Sequence, residues 1–282
     1  MAAQTQRSIP AWWHNPQVRR GSWLLLAALL VSLLGPWLAP HAPAEMVGPV
    51  YGMPQGLAIF GYDFLGHDVL SRVLAGGWSI LWMSFASAAL ALMLGSLLGV
   101  MAGFSRQRLD QVITWLADVA LAFPDFILVL LIIAMFGREP WLIVSLVALT
   151  LTPSVIRLAR SSTVAMAGQE FVEVAQMMGF SKRHIILREI LPNILTPLLV
   201  HFGNMLTWAV GLLAGLSFLG YGVAPPAADW GLMINENRTG LLVQPWAVLA
   251  PALMVAWYAY AANILAEGIS RSHARVGGAA HE

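Results

Sequence analysis

Two carboxylates stand inside a long apolar run, where a charged side chain needs a reason to be present. Asp118 and Asp125 are seven residues apart within residues 109–135, so on one continuous helix they would lie near the same face, two turns apart. Charged groups in a membrane span are costly and indicate functional sites by default. Asp125 could line a pathway and bind a cationic group. For both residues the structural alternative is pairing with a backbone donor or with an arginine of a neighbouring helix.

The sequence patterns of several catalytic classes are absent. The one lysine, Lys182, follows Ser181 and precedes Arg183, so the Gly-Lys-Ser/Thr core of a phosphate-binding P-loop does not occur. The chain has no His-Glu-x-x-His motif, no Gly-x-Ser-x-Gly motif and no cysteine, which argues against a zinc protease, an esterase and a thiolate nucleophile. We therefore expect no catalytic residue, no metal site and no cofactor on this chain.

Residues 169–190 form the most informative polar segment. They predict two short helices hinged at Gly179, with Ser181 capping the second helix. In the first helix Phe171, Val174, Ala175 and Met178 have the spacing of one helical face. An apolar face on a polar loop must be covered, either by the chain's own helix ends or by a groove on a partner.

The elements that position these groups are membrane helices. The 282 residues are 59% hydrophobic and 10% charged, against roughly 45–50% apolar and about 25% charged in soluble domains. A transmembrane helix needs about 20 mostly apolar residues, and six runs qualify, which lie at residues 23–39, 79–103, 109–135, 141–165, 192–218 and 246–268. The fold expected is an all-α integral membrane protein with six spans.

The charges indicate the orientation of these spans. With both termini in the cytoplasm, twelve of the fifteen Lys and Arg residues lie on the inner side, and Arg72, Arg138 and Arg238 lie outside. A net charge of +1 argues against a nucleic-acid partner. Residues 1–22 would then be a cytoplasmic segment and 272–282 a cytoplasmic tail. A cleaved signal peptide is the alternative for the first run, disfavoured by its length and by the prolines that follow it.

The segments that connect the spans, and some residues within the spans, also have predicted roles. Residues 40–76, rich in Gly and Pro, predict a short external cap, and residues 77–271 a five-helix core with an external loop at 219–245. Glycines at 95, 99 and 103, and again at 211 and 215, predict close helix packing. Met205 and Trp208 could wall a pathway, although facing lipid or another helix is the more ordinary role. The external polar residues could form a gate that contacts a second protein, or a plain solvated loop; they are Asp229, Trp230, Asn235, Glu236 and Arg238.

Several motifs resemble one known family. Glu173-Val174-Ala175, then Gly179, then Ile190-Leu191-Pro192 has the spacing of the "EAA" loop in membrane subunits of ATP-binding-cassette (ABC) importers, with Val174 in place of the usual alanine. The other segments that carry the resemblance are Phe64–Arg72, Arg108–Asp110 with Phe123-Pro124, Leu216–Gly222, Pro225-Pro226 and Asp229–Gly231. Together, from about residue 17 to 271, they resemble the second, C-type permease subunit of the dipeptide/oligopeptide/nickel importers.

The resemblance implies a type I importer fold in a bacterial inner membrane. It implies that residues 169–190 are a coupling helix docked into one or two separate ATPase subunits, which would bind ATP and Mg. The residues implied to couple are Glu173, Ala175, Gly179, Lys182, Arg183 and Arg188. It further implies a homologous second permease subunit that completes the pore and an external substrate-binding protein.

Substrate and class stay open at this point. Small peptides are the larger expectation, and nickel or a metal chelate is the alternative. A secondary transporter would normally show inverted repeats, which the sequence lacks, and a membrane scaffold would not need the hinged loop.

Overall fold

The computed structural model describes residues 15–105 and 108–278, with side chains described up to residue 272. Helices carry the architecture. In chain order they are α1 (Pro16–Leu38), α2 (Val69–Ala75), α3 (Gly77–Ser105), α4 (Arg108–Leu121), α5 (Asp125–Phe136), α6 (Pro140–Ala167), α7 (Glu170–Met177), α8 (Lys182–His184), α9 (Leu191–Phe218), α10 (Trp230–Asn237) and α11 (Trp246–Gly278).

Long apolar helices confirm a multi-pass membrane protein. Five segments are long and apolar enough to cross a bilayer, and a sixth crossing results if the bent pair α4 and α5 counts as one span. The first helix begins at Pro16, before the predicted span at residue 23, because Asn15 caps it through a bond from the Gln17 N–H to Asn15 Oδ1 (2.9 Å). The amide of Asn15 also donates to the Gly268 carbonyl (3.0 Å), which ties α1 to α11.

The third predicted span is not one continuous helix, and that expectation is corrected. α4 ends at Leu121, α5 begins at Asp125, and the two are bent by 83°. Pro124 has no N–H to donate and disfavours helical geometry in the residue before it, so the helix breaks there. Asp118 and Asp125 therefore lie on different helices and not on one shared face.

The glycine series of α3 packs as predicted. A Cβ on Gly95 would lie 2.4 Å from Val155, and one on Gly99 would lie 2.6 Å from both the Ile156 carbonyl and the Ala159 methyl. These glycines let the backbones of α3 and α6 approach closely. The two glycines of α9 differ from each other. Gly211 has open space where a Cβ would stand, so the prediction of close packing is wrong there, whereas a Cβ on Gly215 would lie 3.0 Å from the Phe126 ring.

Residues 40–68, here called the cap, fold over one end of the bundle. Bridges pair Met46 with His67 and Tyr62 with Asp68. Asp68 caps α2 by accepting from the N–H groups of Leu70 (3.1 Å) and Ser71 (3.3 Å). At the opposite end of the chain's long helices lies the loop of residues 169–190, where α8 continues through a π-helical turn, Ile185–Ile190, directly into α9.

Candidate functional site

The loop of residues 169–190 reverses direction at one glycine. Gly179 follows α7 with φ +82°, a left-handed conformation that residues with a Cβ rarely adopt. Ser181 then caps α8, since its Oγ accepts from the His184 N–H at 3.3 Å. The rings of Phe180 and His184 stack 4.6 Å apart across the reversal. The two-helix arrangement with a bend at Gly179 is the one that the sequence predicted.

The loop has a buried side and an exposed side, and both are apolar. Val172 and Ala175 are 0% and 7% exposed and pack into the main core with Ile185 and Ile190. Ala175 was predicted to be among the residues that contact a partner. That expectation is corrected, because Ala175 follows Val172 by three residues and lies on the same inner side of α7. The side chains that face outward, here called the exposed loop face, are Phe171, Val174, Met177, Met178 and Phe180.

Charged side chains surround the exposed loop face. Glu173, Lys182, Arg183 and Arg188 are all exposed. Within the part of the chain that the structure describes, none of them has an ion-pair partner. Glu173 and Lys182 line one open groove of about 740 Å³, which also borders the end of α3 at Phe104. The loop thus presents an apolar centre with unpaired charges of both signs around it.

One face of α9, which continues from this loop, is only partly covered by the rest of the described chain. The opposite side of α9 is in the core, with Ile194, Leu198, Ala209 and Leu213 all 3% exposed or less. The residues of the partly covered side follow one another at intervals of three or four and are here called the α9 face; they are Asn193, Pro197, His201, Asn204, Trp208, Gly211, Gly215 and Phe218. Three of these residues carry polar side chains, which are costly against lipid.

Two cavities open along the α9 face. One of about 320 Å³ is lined by Asp125 and Phe126 of α5 with Thr207, Trp208, Gly211 and Leu212 of α9. The other, of about 440 Å³, is lined by Thr196, Pro197, Val200, His201 and Asn204 of α9 with Leu158 and Ser270. The structure thus brings Asp125 and Trp208 together at one cavity.

Two of the predicted pathway residues lie elsewhere. Met205 is 2% exposed and belongs to the core, so the expectation that it lines a pathway is corrected; it follows Asn204 on α9 and points to the opposite side. Asp118 accepts from Arg157 Nη2 at 2.6 Å, which is the structural alternative considered for it. Asp110 and Arg160 form a second pair between α4 and α6, with Arg160 Nη2 2.7 Å from Asp110 Oδ2.

At the other end of the bundle, α10 and the cap share a buried ion network that the sequence analysis missed. Arg72 places Nη1 2.5 Å from Asp63 Oδ2 and Nη2 2.9 Å from Glu236 Oε2. His67 Nδ1 lies 2.9 Å from Asp63 Oδ2. Burial would raise the pKa of Asp63, but hydrogen bonds from His67 and Arg72 outweigh it and hold that pKa below its usual value. Burial raises the pKa of Glu236, although Arg72 opposes this.

The predicted gate residues divide into buried and exposed groups. Trp230 and Asp229 are 0% and 1% exposed, so neither side chain is available to contact a second protein, and that expectation is corrected. Asp229 caps α10 by accepting from the Leu232 N–H (3.1 Å) and from Ser79 Oγ (2.5 Å), and burial raises its pKa. Trp230 Nε1 donates to the Val73 carbonyl at 2.8 Å. Arg238 is exposed and donates to Asn235 Oδ1 at 2.7 Å.

Comparisons with known proteins identify the family of this chain. The family described as "Binding-protein-dependent transport system inner membrane component" matches residues 95–274. The chain belongs to this family. A Brucella suis protein provisionally named a peptide transport system permease is 34% identical over an alignment that covers 95% of each chain.

Other permeases of the family carry more specific names. The di/tripeptide transport permease DppC of Pseudomonas aeruginosa is 31% identical, with 91% of this chain and 87% of that protein covered. The glutathione transport permease GsiD of an Escherichia coli strain is 33% identical, with 91% and 88% covered. A solved structure of the MetNI methionine ABC transporter, described as inward-facing, has a TM-score of 0.54 at 18% identity and covers 70% of this chain and 96% of its own.

These matches confirm that this binding-protein-dependent permease has the type I importer fold and is an inner-membrane component of an ABC transporter. The family match contains the loop of residues 169–190, the α9 face and α10. α1, α2 and the cap lie before the matched segment, so the Asp63–Arg72–Glu236 network joins the part of the chain outside the match to the part inside it.

Proposed function

We propose that this chain forms one half of the translocation pathway of an ATP-driven importer of small peptides and couples that pathway to a separate ATPase. The names of its relatives support peptides over nickel as the substrate, since the three relatives above are named for peptide, di/tripeptide and glutathione transport. In this proposal both termini are cytoplasmic, the loop of residues 169–190 faces the cytoplasm, and the cap and α10 face outward.

The observation that carries the coupling role is the continuity between the loop and α9. The exposed loop face lies beside α8, and α8 runs through the π-helical turn into α9 without a break. A displacement of the exposed loop face is therefore transmitted along the helix that borders the Asp125 cavity. Because packed helices move as units between discrete arrangements, closure of docked ATPases would open this pathway on one side and close it on the other.

The chemistry of the exposed loop face fits a groove on a partner. Apolar residues in the centre supply contact area, and the charges of Glu173, Lys182, Arg183 and Arg188 at the edge select and orient the partner. One or two ATPase subunits would hold the ATP and Mg. This chain would contribute binding and motion, with the chemical step in the ATPase.

A second, homologous permease subunit would cover the α9 face. Pseudo-symmetric pairing would close the two cavities into one pathway and remove Asn193, His201 and Asn204 from contact with lipid. An external binding protein would deliver the peptide at the end formed by the cap and α10.

Reconstitution with a matched pair of charge reversals tests the coupling. We expect Glu173→Arg to abolish ATP-driven uptake of a labelled tripeptide into proteoliposomes that contain the whole complex and its binding protein. Glu139→Arg is the control, because Glu139 is also exposed but precedes α6 at the other end of the bundle. Equal uptake by the Glu173→Arg and Glu139→Arg complexes would refute the coupling role.

A further inference from the structure

The cavity around His201 contains a side-chain network that the coupling role does not use. Ser154 of α6 lies across from His201 of α9, with Oγ 3.1 Å from His201 Nε2. Asn204 and Ser270 line the same cavity. Polar groups at this depth of a membrane protein face the bundle interior or a water-filled path.

The contacts of Ser154 indicate the tautomer of His201. The Ser154 hydroxyl has one proton, and we assign it to the shorter of its two contacts, the Leu151 carbonyl at 2.8 Å, against 3.1 Å to His201 Nε2. Ser154 Oγ can then only accept from His201, so Nε2 of the neutral ring carries the hydrogen. The other nitrogen, Nδ1, is left as a hydrogen-bond acceptor, and it has no partner among the residues that the structure describes.

Asp125, at the second cavity of the α9 face, is also an acceptor without a donor. Its carboxylate has no hydrogen bond or ion pair with the side chains that the structure describes, in residues 15–105 and 108–272. By contrast, the two acidic residues of α4 are paired with Arg157 and Arg160 of α6. Both of these acceptors on the α9 face offer lone pairs, which the N–H groups of a peptide can satisfy.

The distance between the Asp125 cavity and His201 suits an extended peptide. The Asp125 cavity meets α9 between Thr207 and Leu212, about eight to nine residues beyond His201, which is about 13 Å at a rise of about 1.5 Å per residue. An extended chain advances about 3.3–3.6 Å per residue. About four peptide residues would therefore span the distance.

We propose that the α9 face binds the N–H donors of the transported peptide, with its amino terminus at Asp125 and a backbone amide at His201 Nδ1. This inference rests on the proposed function, and it names the chemistry by which this half of the pathway recognises its substrate. The sister subunit would then face the peptide's carbonyl and carboxylate groups.

Equilibrium binding to the purified complex tests the assignment without the binding protein's own selectivity. The probes are radiolabelled tetra-alanine and its N-acetylated form, measured by dialysis against the ATP-free complex in nanodiscs at about pH 7, where an α-amino group is mostly charged and a histidine of ordinary pKa is mostly neutral. A lost hydrogen bond is expected to raise Kd by about 2- to 10-fold.

The two sites have different expected signatures. Asp125→Asn should raise the Kd of tetra-alanine and leave that of the acetylated peptide unchanged. His201→Leu should raise the Kd of both peptides, and His201→Gln, which can still donate to Ser154 and accept from the peptide, should restore both.

Three results would overturn the inference. These are no binding of either peptide to the wild-type complex, an equal effect of Asp125→Asn on both peptides, and failure of His201→Gln to restore binding in a complex that stays assembled. The proposed function fails separately, through the absence of ATP-driven uptake of any peptide when the binding protein is present.

Discussion

Replacing Arg72 by methionine should release the cap from α10. Arg72 is 3% exposed and lies between Asp63, which is fully buried, and Glu236, which is 13% exposed. Methionine keeps much of the aliphatic volume but removes the guanidinium that contacts both carboxylates. Two acidic groups would then remain buried close to each other without a guanidinium between them.

The expected loss follows from the burial of these groups. Removing one partner of a buried ion pair typically costs about 3–5 kcal/mol, because an uncompensated charge is left behind. Replacing an exposed surface residue usually changes stability by less than about 0.5 kcal/mol. Arg238→Met is therefore the matched control, since Arg238 is exposed and bonds to Asn235.

Hydrogen exchange in the cap provides the assay. If the cap opens locally, about 3–5 kcal/mol corresponds to exchange faster by at least about 10²-fold in residues 40–68 of the Arg72→Met protein. Adding Asp63→Asn should recover part of the loss, because asparagine still accepts from the Leu65 and His67 N–H groups (both 2.9 Å) and carries no charge. Exchange in Arg72→Met that equals exchange in Arg238→Met would refute the reasoning.

Three further predictions concern packing, capping and pH. Gly99→Val should lower the yield of folded protein, because its side chain would meet the Ile156 carbonyl, whereas Gly211→Val should fold normally and lower peptide uptake by narrowing the Asp125 cavity. Size-exclusion profiles and uptake assays separate the two, and identical profiles would contradict the packing argument. Asp229→Ala should destabilise α10 by about 1 kcal/mol, seen as faster hydrogen exchange in 230–237, and Asp229→Asn, which still caps, should not. The pKa of Asp63 is lowered, so its contribution to cap stability is complete above the ordinary value of 3.8 and is lost as the pH falls below it. In that range exchange of the cap amides, relative to their intrinsic rates at the same pH, should rise, and Asp63→Asn should remove this pH dependence.

The sequence predicted features that depend on local pattern. The lengths of the apolar runs predicted the membrane-spanning helices, and the glycine spacing in α3 predicted its close contact with a neighbouring helix. The residues around Gly179 predicted the bend of the loop at residues 169–190. The resemblance identified the family, which the comparisons confirm; the coupling role of residues 169–190 stays a prediction. These signals are contained in short stretches of chain and need no knowledge of tertiary neighbours.

Contacts between residues far apart in the sequence could not be predicted from local patterns. Arg72 and Glu236 are 164 positions apart in the sequence, so no local pattern joins them. The spacing of Phe171, Val174, Ala175 and Met178 predicted one apolar face on α7, but it could not show that Ala175 is buried against the core while the other three are exposed. Pro124 was a signal that could have been used, because proline between two apolar runs predicts the break that separates Asp118 from Asp125.

Cysteine crosslinking tests the central claim most directly, because the natural chain has no cysteine. Met177 is 83% exposed in the exposed loop face, and Leu242, beyond α10, is 96% exposed at the other end of the bundle. With a short bifunctional thiol reagent and a single cysteine engineered into the facing groove of the ATPase, Met177→Cys should crosslink to that subunit and Leu242→Cys should not. A complex in which Leu242→Cys crosslinks, or in which neither variant does, would contradict the account.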